Sequence, residues 1–199
     1  VMIKEPRAGR VKTRLGRDIG MTAAAWWYRH QVRRLLRHMT NPRWDVVLAV
    51  TPDRAGMRSR IWPQRFERWP QGTGDLGQRM ARLLRHARGP ICIIGSDIPC
   101  IRAPHIHAAF KAIDAQDVVF GPAPDGGFWL VGVRQGHRLP RRIFHNVRWS
   151  THHALSDTLA NLSDTKVGFT TTLSDVDDAT DLVALNAMAE IANDLTLRS

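Results

Sequence analysis

Ile91-Cys92-Ile93-Ile94-Gly95-Ser96-Asp97-Ile98-Pro99 is a short apolar run that breaks at a glycine and stops on an acid followed by Ile-Pro. Two more apolar runs come after it, Val118-Val119-Phe120 and Phe128-Trp129-Leu130-Val131-Gly132-Val133, separated by Gly121-Pro122-Ala123-Pro124-Asp125-Gly126-Gly127. Apolar runs of roughly four to eight residues bounded by Gly and Pro read as buried strands. A buried strand that stops at a carboxylate puts that carboxylate at the sheet's carboxyl edge, where open α/β sheets bind ligands. Asp97 is therefore the expected centre of an active site.

Upstream, Val1-Met2-Ile3 reads as the tail of a strand, with the expectation that residues precede it. Lys4 to Leu15 reads as a loop. Met21, Ala24, Ala25, Tyr28, Val32, Leu35, Leu36 and Met39 recur at helical spacing, opposite Arg29, Arg33, Arg34 and Arg37. That predicts a helix over 21–39, capped by Thr22 and stopped by Asn41-Pro42. Trp26 and Trp27 are both expected to pack on neighbours. A strand is expected over 44–50, then irregular chain over 54–70 with a short edge strand at Phe66–Trp69. Asp75 is a natural N-cap for a helix through about Ala87 that turns Leu76, Met80, Leu83 and Leu84 inward.

A helix from Pro104 to Ile113 is followed by strands at 117–122 and 127–133. Both look buried, which argues against a simple hairpin. Phe144–Trp149 reads as extended, Ser150 as the cap of a helix through Leu162, and Lys166–Thr170 as a strand. A last helix carries Leu182, Leu185 and Ala189 on one face. This alternation predicts one α/β domain spanning residues 1–199, with a mostly parallel sheet.

Composition agrees with a globular domain: 43% hydrophobic and 24% charged in 199 residues. No apolar run approaches a membrane span, and no basic-then-apolar leader opens the chain, so no membrane partner is expected. Cys92 and Cys100 fit no zinc spacing, which suggests reduced thiols and a cytoplasmic location. The net charge of +11 favours anionic partners, although the Arg residues are scattered rather than massed.

Lys4-Glu5-Pro6-Arg7-Ala8-Gly9-Arg10-Val11-Lys12-Thr13-Arg14 follows the first strand. Such a loop can cradle phosphates with backbone N–H groups and clamp them with Lys and Arg. Gly72-Thr73-Gly74-Asp75-Leu76-Gly77 can bring backbone close to a flat ligand such as a base. Asp175 and Asp177 precede the last helix and alternate in an extended stretch, so they should point the same way. Mg²⁺ is held by one or two carboxylates plus substrate phosphates. Asp97 with Asp177 or Asp175 meets that need, and Mn²⁺ would serve equally. The expected chemistry is metal-assisted transfer at phosphorus, or at a carbon bearing a diphosphate leaving group.

Taken in order, Lys4-x-Pro6-x-x-Gly9-x-x-Lys12-Thr13-Arg14-Leu15, Asp75-Leu76-Gly77-x-Arg79-Met80, Gly95-x-Asp97-x-Pro99, Gly121-Pro122-x-x-Asp125-Gly126-Gly127, Trp149-Ser150-Thr151 and Asp175-Val176-Asp177 span nearly the whole chain. This set resembles the bacterial radical-SAM/selenodomain-associated transferase family. More distantly it is similar to 2-phospholactate guanylyltransferase and the molybdenum-cofactor nucleotidyltransferases. The resemblance implies a GT-A fold, that of nucleotide-diphospho-sugar transferases: a three-layer sandwich around a mixed, mostly parallel sheet. It implies phosphate binding by the Lys4, Gly9, Lys12 and Arg14 loop, and a base near Gly74, Asp75, Leu76 and Gly77. It also implies metal ligation by Asp97 and Asp177, and an acceptor side at Asp125, Gly126 and Gly127. Asp97, Lys12 and Arg14 would be catalytic. The substrates would be a nucleotide or nucleotide-sugar and a small acceptor, with nucleotidyl and glycosyl transfer both open. Two other readings are a basic nucleic-acid-binding protein, ranked below because it explains neither the acids nor the Gly-rich turns, and a nucleotide binder without turnover.

Overall fold

A computed structural model describes residues 1–185 and 187. Among these residues seven strands form two sheets: β1 (Met2–Lys4), β2 (Val47–Thr51) and β3 (Glu67–Pro70) in one, and β4 (Ile91–Ile94), β6 (Phe128–Val133), β5 (Val118–Pro122) and β7 (Val167–Phe169), in that spatial order, in the other. The first sheet is all parallel. In the second, β6 runs against both β4 and β5, while β5 and β7 are parallel. The mostly parallel character expected from the sequence is present, divided between two ladders.

Side-chain alternation builds three layers. Ile93, Val118, Phe120, Val131 and Val133 face one core together with Met80, Leu83 and Leu84 of α4 (Leu76–His86). Their neighbours Ile94, Val119 and Leu130 face a second core with α2 (Met21–Met39) and α5 (Ala103–Ile113). The two-residue period of a strand sends adjacent residues to opposite faces, so both faces are apolar and both are covered. A third core under β1 and β2 uses the same α2, through Tyr28, Val32 and Leu36.

Several local expectations are corrected. β5 and β6 do form an antiparallel hairpin, with Val118 opposite Val133. Both look buried because helices cover each face. Residues Thr13–Ile19 form a helix, α1, where a loop was expected; its Leu15 is fully buried. Residues Asp53–Arg58 form α3 where irregular chain was expected. Gly20, at a φ of 93°, precedes α2, so Thr22 is not the cap. The 144–149 segment is turns rather than a strand, folding Phe144 against Trp149 and Phe128. The following helix, α6, spans Ala154–Ala160 behind His153, not Ser150. Trp26 is 64% exposed, its ring tilted against that of His30, and Leu76 is 43% exposed rather than inward. A helix opens at 179; Ala189 lies outside the described residues. No helix among the described residues is long and apolar enough to cross a membrane, and both cysteines are free.

Candidate metal centre and cleft

Asp97 stands just beyond β4. Gly95 N–H donates to the Trp129 carbonyl at 3.0 Å, and Ile98 and Ile101 are buried beneath the turn, so the loop's root is fixed. The Asp97 carbonyl accepts from Val176 N–H at 3.1 Å. That bond lays the 174–177 stretch alongside, with Val176 buried. Asp175 and Asp177 consequently turn the same way. One oxygen from each of Asp97, Asp175 and Asp177 falls within 4.8 Å of the others, and all three residues are half-buried. Acids from the middle and the far end of the sequence thus meet, as expected. Hard oxygen donors beside an open cleft fit Mg²⁺ or Mn²⁺.

The beginning of the chain joins them. Lys12 Nζ lies 2.6 Å from Asp97 Oδ2 and 2.8 Å from Asp177 Oδ1. Arg14 Nη1 reaches Asp177 Oδ2 at 3.1 Å, and Leu15 N–H donates to the Asp177 carbonyl at 3.0 Å. Lys12 itself sits at a φ of 45°, heading α1. A left-handed backbone at a non-glycine residue is strain that packing must hold, and such strain gathers at functional sites. Ser150, at a φ of 60°, also lines the cleft.

The charges respond to one another. Burial disfavours the Lys12 ammonium, but Asp97 and Asp177 outweigh it and raise its pKa. Burial works against the Asp177 carboxylate, yet Lys12 and Arg14 hold it below the usual range. Asp175 makes no ion pair among the described residues, and the pull of Lys12 on it is outweighed. Burial, then Asp177 and Asp97, push it up to about 6.

The cleft has a volume of about 760 Å³. Of the residues expected to meet a nucleotide, Lys4, Lys12, Arg14 and Leu76 line it; Gly9, Gly74, Asp75 and Gly77 do not. Gly9 has a φ of +72° in an exposed turn. Gly74 makes room for the Gln78 side chain, which closes a capping box with Asp75 at the head of α4. Gly77 lets Phe144 and Trp149 pack against the helix. Asp125 and Gly127 also line the cleft. Gly126, at a φ of +84°, lies against the His152 backbone, where a Cβ would collide with the carbonyl.

The sequence reading passed over several cleft residues. Arg79 lines it, with Nε donating to the Gly74 carbonyl at 2.8 Å; its place in the Asp75-Leu76-Gly77-x-Arg79 run was the available signal. His152 and Trp149 also line the cleft. Tyr28 had no local signal, being read as a core residue. Its hydroxyl accepts from Lys4 N–H at 3.0 Å and shares a hydrogen bond of 2.9 Å with Ser96 Oγ. Burial pushes its pKa to about 12. It links the carboxyl ends of β1 and β4, which share no ladder.

Residues 35–151 match the family described as "Uncharacterized protein conserved in bacteria (DUF2064)". Among solved structures, the chain matches a provisionally assigned nucleotide-diphospho-sugar transferase from Desulfovibrio desulfuricans G20. The TM-score is 0.82 and the identity 27%, over 92% of this chain and 83% of that one. The α/β fold is thus that of this transferase structure. No match is found among curated proteins.

Proposed function

This chain belongs to the DUF2064 family, and we propose that it is a Mg²⁺- or Mn²⁺-dependent transferase acting on a nucleotide-sugar or nucleotide and a small acceptor. The observation behind this reading is the meeting of Asp97, Asp175 and Asp177 with Lys12 at one end of the cleft. Asp97, Asp177 and Asp175 would hold the ion, which when bound supplies charge neutralisation to a diphosphate. Lys4, Lys12 and Arg14 would bind phosphate oxygens the ion does not reach. Leu76 and the Gly74–Gly77 turn would flank the base, and Gly9 would shape the loop. Asp125, Gly126 and Gly127, with His152 behind them, would orient the acceptor. Among these residues none is set as a general base, so positioning and preorganised charge are the expected contributions.

Likeness to a nucleotide-diphospho-sugar transferase favours glycosyl transfer. The density of Lys4, Lys12 and Arg14 at the loop after β1 favours a triphosphate and nucleotidyl transfer. Calorimetry with nucleoside triphosphates and nucleotide-sugars, with and without Mg²⁺, separates the two. Asp97→Ala should abolish metal-dependent binding while circular dichroism stays native. Unchanged affinity in that variant would remove Asp97 from the site.

A further inference from the structure

Lys12 occupies an unusual position for a phosphate-binding lysine. Its ammonium bridges Asp97 Oδ2 at 2.6 Å and Asp177 Oδ1 at 2.8 Å, two of the three acids that gather as candidate metal ligands. An ion bonded to both oxygens at roughly 2.1 Å would overlap the space Nζ fills. The ammonium and an ion on those two oxygens therefore exclude each other by volume, and an ion on any oxygens of the three acids meets the charge of the ammonium. We propose, resting on the metal-site reading above, that Lys12 is a built-in competitor for the ion. It yields its place only when a diphosphate offers it another anion, so the ligand this site takes is the metal–diphosphate pair rather than either alone.

Four features make the exchange workable. The Lys12 backbone is anchored: Gly16 N–H donates to its carbonyl at 2.8 Å, and Leu15 N–H donates to the Asp177 carbonyl at 3.0 Å. The root of the side chain is fixed while its four-carbon stem can re-aim the tip. The side chain is only 7% exposed while paired, so leaving the acids gives up two charged partners, a loss that a new anion in the cleft offsets. The cleft it lines is large enough for one, at about 760 Å³. Finally, Asp175 makes no ion pair among the described residues, unlike Asp97 and Asp177. An incoming ion thus has one uncommitted carboxylate to meet first. Linkage then requires that diphosphate raise metal affinity by the same factor that metal raises diphosphate affinity.

The test titrates Mn²⁺ alone, inorganic pyrophosphate alone, and each in the presence of the other, by calorimetry and by the Mn²⁺ paramagnetic signal. In the natural protein, pyrophosphate should tighten Mn²⁺ binding by about tenfold or more. Lys12→Met should bind Mn²⁺ alone about tenfold more tightly than the natural protein, bind pyrophosphate less tightly, and lose most of the mutual enhancement. Lys12→Arg, which keeps the charge, should restore weak binding of Mn²⁺ alone. Arg17→Met controls for general field effects: Arg17 is an exposed residue of α1 that makes no ion pair among the described residues. Loss of an exposed charge counts for little, so its Mn²⁺ affinity should change by less than about threefold. Equal or weaker Mn²⁺ binding in Lys12→Met, or an equal gain in Arg17→Met, overturns the competitor role and leaves the metal site standing. Absence of Mn²⁺ binding in every protein, with pyrophosphate present, overturns the metal site itself.

Discussion

Asp175 is the acid whose surroundings most oppose its charge. Burial comes first, then Asp177 and Asp97, and they lift its pKa to about 6. A carboxyl whose folded pKa exceeds its unfolded value stabilises the fold while protonated. That contribution is complete below the ordinary value of 3.8 and is lost as pH rises through about 6. A divalent ion needs the carboxylate, so proton and metal compete at this position. Mn²⁺ affinity should therefore climb between about pH 5 and 7 and level off above. Asp175→Asn should flatten that climb and raise the thermal midpoint of the ligand-free protein near pH 8, because a buried like charge is removed. A pH profile of Mn²⁺ affinity that is the same in both proteins would take Asp175 out of the ligand set. At this scale the sequence was informative. Asp97 could be found because it ends a buried strand, and Asp175 and Asp177 because they alternate just before a helix. The ion pairs from Lys12 could not be found, since Lys12 stands 165 positions from Asp177 and 85 (97 − 12) from Asp97.

Elements hold these residues at fixed separations. Asp75 reads from the sequence as the cap of α4 in a Gly-rich turn that can also approach a base, and the two roles can coexist. Its side chain accepts from Gln78 N–H at 2.8 Å, and Gln78 Oε1 accepts from Asp75 N–H at 3.1 Å. Its carboxylate is thus engaged in a capping box. Asp75→Ala should cost about 1 kcal/mol of stability in urea unfolding while leaving Mn²⁺-dependent nucleotide affinity within about threefold. A larger loss of affinity with unchanged stability would mark Asp75 as a ligand contact instead. The helices and most strands were legible because apolar period and turn residues agreed. The errors share a cause: a tertiary contact overrode a local pattern. Leu76 carries the helical period but faces the cleft, 43% exposed. Phe144 and Trp149 read as strand residues, but they gain more by folding onto Phe128 and Gly77. Thr13–Ile19 is too short a helix for its period to register, and it is held by packing on α2 rather than by propensity.

For the molecule as a whole, the net charge of +11 invites a nucleic-acid reading, yet the acids and cations that converge do so inside a cleft, where charge is paired. The cleft gathers three remote parts of the chain. Lys12 comes from the loop after β1, Asp97 from the loop after β4, and Asp175 and Asp177 from the stretch beyond β7. Neither β1 nor its sheet shares a ladder with β4, so beside apolar packing the site residues and the Tyr28–Ser96 bond are polar ties across that seam. A ligand that binds all three segments binds only the folded chain. Its free energy then adds to global stability, by about 2.7 kcal/mol at a hundred times its dissociation constant. For a domain of this size, each kcal/mol moves the melting midpoint by about 2–4 °C. Mn²⁺ with a nucleoside diphosphate at that saturation should thus raise the midpoint by roughly 5–11 °C. Generic duplex DNA, which would sit on the scattered surface arginines, should give a shift that fades steeply with salt. Differential scanning fluorimetry at two salt concentrations distinguishes the two. A salt-resistant shift with Mn²⁺ and diphosphate that disappears in Asp97→Ala supports a site joining the segments. A shift that survives in Asp97→Ala would place the ligand elsewhere on the surface.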